Sequence, residues 1–395
     1  HSEAGIEFLQ GMFARLKKAG RFSKATRRAT FGFFVTQPLV LIPYKRWRFK
    51  RRHGYYPPGF LALSPTRRCN LACPGCFEGG NSTDELSLET VSRIVTDANG
   101  MGVYLFVLIG GEPLCWPPLF DLLERFPSCT FGIYTNGTLV TKAMADRFAA
   151  LGNGQLGFSL EGFEEQTDRR RGAGVFRKVL ESMDICRDAG VHFGYSVTVT
   201  RDNNDLVVSD EFVDLMMAHG CFDGWYYQYM PVGCAPDASL IPDPSQRERR
   251  RQRLAELRRT KDINLYDFVN DGPLVGGCLC AGRYYLHINA AGGVEPCAFY
   301  PFAADTIRDR TLVEVLESPF FKAIRAHQRE TENLLAPCPV IDHPEWLREA
   351  VAAGNARPTQ PTAALLLDGM ATPLDANAAA YRAIADRVWK EELAR

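Results

Sequence analysis

No stretch of the chain approaches the ~20 uninterrupted apolar residues that a membrane-spanning helix needs. A transmembrane helix is therefore excluded. Net charge is lacking too, because 46 basic residues meet 46 acidic ones in 395 residues. There is no internal repeat beyond a strand–helix alternation and no extended low-complexity tract. No secretory signal opens the chain, and His1-Ser2 without a Met reads as the remnant of an expression tag. The expectation is a cytoplasmic protein, with the inner membrane face as a second location. Twelve cysteines are too few for a disulfide-stapled scaffold. Hydrophobic residues at 46% and charged residues at 23% exclude a disordered chain, a collagen-like repeat and a coiled coil.

The charge that cancels overall does not cancel locally. Residues 1–53 hold 13 Lys and Arg against Glu3 and Glu7, a net of +11. Residues 4–30 read as a basic amphipathic helix, with Ile6, Leu9, Phe13 and Leu16 at helical spacing. The run Lys45-Arg46-Trp47-Arg48-Phe49-Lys50-Arg51-Arg52 interleaves aromatics with cations. An anionic membrane surface attracts such a segment, at about 1 kcal/mol per basic residue. The alternative is a helical extension packed on the main domain with its cations in water. Nucleic acid is not expected, because no recognised binding motif accompanies the charge.

Between residues 60 and 233, short apolar runs alternate with amphipathic stretches. The candidate strands are Phe60–Ser64, Tyr104–Ile109, Thr130–Tyr134, Gln155–Leu160, His192–Thr200 and Trp225–Met230. Helix-like segments lie between them: Ser87–Asn99, Pro118–Phe126, Lys142–Leu151, Val175–Ala189 and Glu211–His219. This alternation predicts an α/β fold with a parallel sheet. Six units over about 170 residues suit an open partial barrel better than a closed eight-fold one. The expected organisation is a basic extension over 1–55, the barrel over 56–235, a connector helix over 236–275, a small module over 276–345 and a helical tail over 346–395, with a final helix from Asn377 to Arg395. In the connector, Arg247, Arg249, Arg250, Arg251 and Arg253 read as a solvated face.

Clustered cysteines in such a chain point to metal before disulfide. Cys69, Cys73 and Cys76 follow the first candidate strand at spacing C-x₃-C-x₂-C. Three thiolates hold three corners of a cubane, and an ordinary 4Fe–4S site wants four. Three leave one iron open for chemistry. Zinc is the competing reading, but no nearby histidine offers itself and paired C-x-x-C motifs are absent.

These residues resemble the radical S-adenosylmethionine (radical SAM) enzymes, which carry this loop after the first strand of a partial, TIM-like (β/α)₆ barrel. Gly110-Gly111-Glu112-Pro113 after the second strand resembles the family motif whose backbone and carboxylate meet the methionine ammonium group. Tyr134-Thr135-Asn136-Gly137 closes the third strand and Ser159-Leu160-Glu161-Gly162 the fourth, followed by Asp168, Arg171 and Gly172. The resemblance implies that Asn136, Ser159 and Arg171 belong to the S-adenosylmethionine site, Arg171 through the carboxylate of that cofactor. Arg169 and Arg170 read as surface. One position departs: an aromatic residue often precedes the third cysteine, where this chain has Gly75. Phe77 is the candidate replacement against the adenine.

Four more cysteines surround a candidate hairpin. Cys278 and Cys280 precede Tyr284–Ile288, a Gly292-Gly293 turn follows, then Cys297, a helix over Thr311–His327 and Cys338 between prolines. The arrangement resembles the SPASM and twitch modules that bind auxiliary 4Fe–4S clusters, and four cysteines imply one cluster here. Cys280, Cys297 and Cys338 are the safest ligands. The fourth position is left to Cys278, Asp342, His343, a substrate atom or nothing. Cys115, Cys129, Cys186, Cys221 and Cys234 read as buried small hydrophobes. Tyr285 and His287 either face a substrate or simply pack.

The resemblance implies reductive cleavage of S-adenosylmethionine to a 5′-deoxyadenosyl radical, hydrogen abstraction from an unactivated carbon, and oxidation or bond formation helped by the auxiliary cluster. A ferredoxin or flavodoxin supplies the electron. The basic, aromatic N-terminus makes a lipid-like or membrane-associated substrate the leading expectation. The alternatives are maturation of a ribosomal peptide and dehydrogenation or epimerisation of a small sugar-like molecule. From another class comes a non-catalytic iron–sulfur electron carrier, which would have no use for Gly110–Pro113, Ser159 and Arg171.

Overall fold

A computed structural model describes residues 22–32 and 41–393. Most of the helix expected over 4–30 lies outside the described residues. The strands are β1 Phe60–Leu63, β2 Leu105–Leu108, β3 Thr130–Thr135, β4 Gly154–Leu160, β5 Phe193–Val199, β6 Asp223–Gln228, β7 Asn264–Asp267, β8 His287–Ile288, β9 Gly293–Glu295 and β10 Asp305–Thr306. Among the described residues they form one sheet in the order β10-β9-β8-β1-β2-β3-β4-β5-β6-β7. Each neighbouring pair from β1 to β7 is parallel. The fold is the α/β partial barrel expected, with helices on its outer face.

The helices are α1 Lys24–Phe31, α2 Leu41–His53, α3 Leu88–Met101, α4 Leu119–Arg125, α5 Lys142–Leu151, α6 Glu164–Arg171, α7 Val175–Ala189, α8 Asp210–Ala218 and α9 Pro244–Thr260. Parallel strands need such crossovers. Side chains capture orphan N–H groups at their starts: Ser87 accepts from Thr90, Thr141 from Met144 and Ser209 from Phe212. Asp243 and Gln246 form a capping box on α9, with Pro244 at its first position. Alternation along the strands then divides two faces. Phe106, Leu108, Ile133, Phe158 and Leu160 are buried outward against the helices, each contributing roughly 1.5–3 kcal/mol. Val107, Tyr134, Ser159, Thr198 and Tyr227, on the alternate positions, are only half-buried and face the barrel interior.

Three expectations change here. Residues 236–275 are not only a connector, because β7 pairs with β6 and widens the sheet. The final helix begins at Ala371 rather than Asn377. The arginines of α9 are not all solvated: Arg247 and Arg250 are fully buried. Arg247 donates to Asp342 Oδ1 at 2.5 Å and Asn270 Oδ1 at 2.9 Å, over the Tyr381 ring at 3.6 Å. Arg250 donates to Asp267 at 2.9 Å, Asn204 at 2.7 Å and Gln228 at 2.9 Å. Burial alone would raise the Asp267 carboxyl, but the Arg250 guanidinium holds it below its ordinary value. A helix so rich in Arg shows no apolar stripe, so its buried side could not be seen in the residue pattern.

The N-terminal segment is in part a packed extension. Lys45 Nζ donates to Asn99 O at 2.8 Å and Tyr104 Oη at 2.7 Å, and Arg46 holds the Pro57 and Pro58 carbonyls. Arg48, Lys50, Arg51 and Arg52 of α2 remain solvent-facing or nearly so, with Tyr44 and Trp47 exposed. No helix among the described residues is long and apolar enough to cross a membrane.

The buried Arg247–Asp342 pair makes a stability prediction. Arg247→Ala leaves a buried carboxylate without its partner and is expected to lower unfolding free energy by about 3–5 kcal/mol. Urea unfolding of the wild type and variant measures it. The double change Arg247→Met with Asp342→Leu is expected to recover most of that loss.

Candidate functional site

The three cysteines lie on an excursion between β1 and α3 whose neck is strapped. Thr66 bridges to Glu85, Arg67 N–H donates to Asp84 O at 3.0 Å, and Leu86 N–H to Pro65 O at 2.8 Å. The Asn81 side chain holds Cys69 through both its N–H, at 3.2 Å, and its carbonyl, at 2.8 Å. The Gly110-Gly111 backbone lies directly beneath. Gly111 N–H donates to Thr66 O at 2.9 Å and Glu112 N–H to Arg68 O at 2.8 Å. A Cβ on Gly111 would stand 2.3 Å from Arg68 O, and Gly110 has φ +113°, so only glycine fits both positions. The C-terminal region closes the other side, with Gln360 Nε2 donating to Phe77 O at 2.8 Å.

Burial pushes the Cys69 thiol up to about 11, and burial likewise raises Cys76. Thiols so placed are poor free nucleophiles. A metal removes their protons outright, so the donor set suits ligation. Among the described residues no three His, Cys, Asp or Glu side chains converge on one metal ion.

The residues expected around S-adenosylmethionine fall into four places. Glu112 and Asn136 lie under the loop. Glu112 is buried and accepts from Thr135 Oγ1 at 2.7 Å, Asn136 N at 2.7 Å and Leu114 N at 3.0 Å. Burial raises its pKa against those bonds. Asn136 Nδ2 donates to Asn70 Oδ1 at 2.8 Å. Both side chains thus bind the scaffold under the loop, and Pro113 starts the short turn that Glu112 caps. Ser159 stands inside the barrel, 3.4 Å from Ser196 Oγ. Arg171 pairs with Glu161 at 2.7 Å. Phe77 is turned away from the loop toward the second cysteine group, packing on Phe299 with centroids 5.8 Å apart. The space beside Gly75 is filled by the Tyr229 ring, 3.2 Å from where a Cβ would lie.

Cys278, Cys280, Cys297 and Cys338 line a single cavity of about 40 Å3 together with Tyr285, Phe299 and Pro337. Cys278 Sγ lies 3.4 Å from Cys280 Sγ. Tyr285 Oη approaches Cys297 Sγ at 2.6 Å, and Gln328 Nε2 approaches Cys280 Sγ at 3.2 Å. Burial pushes the Cys297 thiol up to about 12 and raises Cys338 strongly. Of the alternatives for a fourth ligand, Asp342 is spoken for by Arg247 and by the Cys338 N–H at 3.0 Å. His343 stacks on Trp346 with centroids 3.6 Å apart. Cys278 shares the cavity with the other three. Cys129, Cys186 and Cys221 are buried as expected, whereas Cys115 and Cys234 are only half-buried.

Two networks connect the cysteine groups. Aromatic rings run from Phe77 through Phe299 to Tyr227 and Tyr134, and the two tyrosine hydroxyls lie 2.7 Å apart. Beneath, His287 Nε2 lies 2.7 Å from Ser64 Oγ and His287 Nδ1 lies 2.6 Å from Glu295, while Ser64 also donates to Glu78 at 3.3 Å. His287 is therefore a packed linker, whereas Tyr285 lines the cavity of the second cysteine group beside Cys297. Burial pushes Glu78 up to about 7. The residue pattern missed Tyr227 as an interior group, although the alternation of Trp225 and Tyr227 along β6 carried the signal. It also missed Arg170 and Glu161, which no periodicity marks.

A barrel of parallel strands with a three-cysteine loop after β1, joined to a cysteine-lined hairpin module, defines an iron–sulfur radical enzyme. The family models agree: Radical SAM superfamily over residues 63–212 and the SPASM iron–sulfur cluster-binding domain over 278–340. The chain is a radical SAM enzyme with a SPASM domain. Its cofactors are S-adenosylmethionine, a 4Fe–4S cluster and a SPASM auxiliary iron–sulfur centre. It is 23% identical over 318 residues to an AdoMet-dependent heme synthase of Methanosarcina barkeri, covering 72% of this chain and 89% of that protein. It is 24% identical over 334 residues to the PqqA peptide cyclase of Gluconobacter oxydans, covering 78% and 91%. In fold it is similar to Streptococcus suis SuiB bound to the precursor peptide SuiA, with TM-score 0.62, 18% identity and coverage of 75% and 74%.

Anaerobically reconstituted protein is expected to hold about eight iron atoms, from two 4Fe–4S clusters. The Cys69→Ala, Cys73→Ala, Cys76→Ala variant is expected to keep about half of that iron and to release no 5′-deoxyadenosine from S-adenosylmethionine. Iron analysis and chromatography check both.

Proposed function

We propose that this radical SAM enzyme modifies a ribosomally made peptide, abstracting hydrogen from one of its carbons and leaving an oxidised or newly bonded product. The observation that carries this reading is the chemistry of the barrel interior. Gln155, Ser159, Thr198 and Asp223 face it from β4, β5 and β6 beside Tyr134, Trp225 and Tyr227. Ser159 pairs with Ser196, Thr198 with Arg170 and Asp223 with His192 and Trp225, and each keeps hydrogen-bonding capacity to spare that an acyl chain cannot use. A peptide brings N–H and C=O groups that use this capacity and side chains that pack on the rings. The similarity to a peptide cyclase along most of both chains supports the same reading. A lipid substrate, expected from the N-terminal charge, loses ground because Lys45 and Arg46 are spent on packing.

When bound, the reduced cluster supplies the electron that splits S-adenosylmethionine into methionine and a 5′-deoxyadenosyl radical. In this reading Cys69, Cys73 and Cys76 would hold that cluster, and Cys278, Cys280, Cys297 and Cys338 the auxiliary one. Gly110 and Gly111 let the cysteine loop's own backbone at Thr66 and Arg68 pack directly on the turn after β2, Arg171 is held by Glu161, and Ser159 faces the barrel interior where a ligand would lie. Trp225 stacks on Tyr266 with centroids 4.2 Å apart, and Tyr227 with Phe268 and Phe299 forms the wall between the two cysteine groups. These rings exclude water and orient the reacting side chain.

Reduced enzyme with S-adenosylmethionine is expected to release 5′-deoxyadenosine and to remove hydrogen from the precursor peptide encoded beside it, read by mass spectrometry. Tyr227→Ala is expected to slow peptide modification by about ten-fold, on the order of 1.4 kcal/mol, while leaving peptide-free cleavage of S-adenosylmethionine in place. Unmodified peptide together with a modified lipid from anionic vesicles would overturn the reading.

A further inference from the structure

At the end of α6, three arginines in a row divide their roles. Arg169 is exposed. The hydrogen bonds of Arg171 go to Glu161. Arg170, which looks like surface in the sequence, is folded inward. Its Nε donates to Pro74 O at 3.2 Å and its Nη2 to Gly75 O at 3.1 Å. Its Nη1 donates to Glu161 Oε1 at 2.5 Å and Thr198 Oγ1 at 2.9 Å. One guanidinium thus ties the turn between Cys73 and Cys76 to the ends of β4 and β5. From the other side the Tyr229 ring presses on Gly75, whose φ of +64° lets the chain turn there. Cys234 N–H donates to Cys76 O at 2.9 Å just beyond.

We propose that Arg170 is a positioning residue for the iron–sulfur cluster of the Cys69/Cys73/Cys76 loop. It fixes the Pro74–Gly75 turn, hence the spacing of Cys73 and Cys76, and sets a positive charge beside their sulfurs. The planar fork reaches two carbonyls at once, which a lysine ammonium on a flexible stem does not reproduce. A fixed positive charge favours the reduced cluster, because reduction adds an electron. This rests on the radical SAM reading and is independent of the substrate.

The test uses full-length reconstituted protein and the variants Arg170→Gln, Arg170→Lys and Arg169→Gln, with no peptide present. The cluster whose EPR signal changes on adding S-adenosylmethionine is followed in two ways: its midpoint potential, and the rate at which a chelator strips its iron. Arg170→Gln is expected to lose that iron several-fold faster than Arg169→Gln and to show a more negative midpoint. Arg170→Lys is expected to share the faster loss and to keep a midpoint near the wild type. The auxiliary signal is expected to stay unchanged in all three. Equal behaviour of Arg170→Gln and Arg169→Gln in both measurements overturns the proposal. If Arg170→Gln yields no folded protein, Arg170→Lys decides: a chelation rate equal to the wild type overturns it.

Discussion

The parallel pairing of β8 with β1 is the contact on which the arrangement of this molecule depends. Ala62 pairs with His287 and Leu63 with Ile288, although the partners stand 225 positions apart in the chain. Because β1 also pairs with β2, the SPASM hairpin becomes an extension of the barrel sheet rather than a separate body beside it. The loop with Cys69, Cys73 and Cys76 leaves the end of β1, and Cys297 follows β9 of the hairpin. One sheet therefore sets the distance between the two cysteine groups. The pairing is reinforced by side chains, since Ser64 at the end of β1 reaches His287, which reaches Glu295. All three are fully buried, and in such surroundings a hydrogen bond is costly to leave unmade.

Buried arginines recur as the device that holds loops in place. Arg170 joins the three-cysteine loop to β4 and β5. Arg247 joins α9 to the segment that follows Cys338 through Asp342. Arg250 joins α9 to β6, β7 and the loop after β5. Each guanidinium presents five donors in a rigid plane, and four bonds leave Arg170, four leave Arg247 and three leave Arg250. Burying such ion pairs adds little net stability, because desolvation offsets most of the attraction. Their value lies in direction: they admit one placement of the loop, whereas apolar contacts would tolerate several.

The interior wall between the cysteine groups combines two kinds of surface. Tyr134, Trp225, Tyr227, Phe268 and Phe299 give ring contacts at centroid distances between 5.2 and 6.2 Å along the path, the range that edge and offset packing prefer. Serine, threonine and tyrosine hydroxyls stand among them. A ligand there meets apolar area for affinity and hydrogen bonds for orientation.

The barrel was legible from residue order alone. Apolar runs of strand length alternate with amphipathic helices, and observed bounds such as Thr130–Thr135 and Val175–Ala189 lie within a residue or so of those the pattern marks. Both cysteine groups were equally plain, since ligand spacing is written locally in C-x₃-C-x₂-C and in cysteines flanking a hairpin. Long-range choices were not legible. Nothing local distinguishes Arg170 from Arg169, or Arg247 from Arg249. Which arginine turns inward depends on a carbonyl or carboxylate brought to it from tens of residues away. The same holds for Phe77, which the loop left free and Phe299 claimed, and for Cys278, favoured only once Asp342 and His343 had found other partners. Periodicity and spacing are properties of neighbouring residues, so the sequence by itself determined the elements and the metal-binding chemistry. The partner of each buried polar group is a property of chain crossings, and only the tertiary structure decided it.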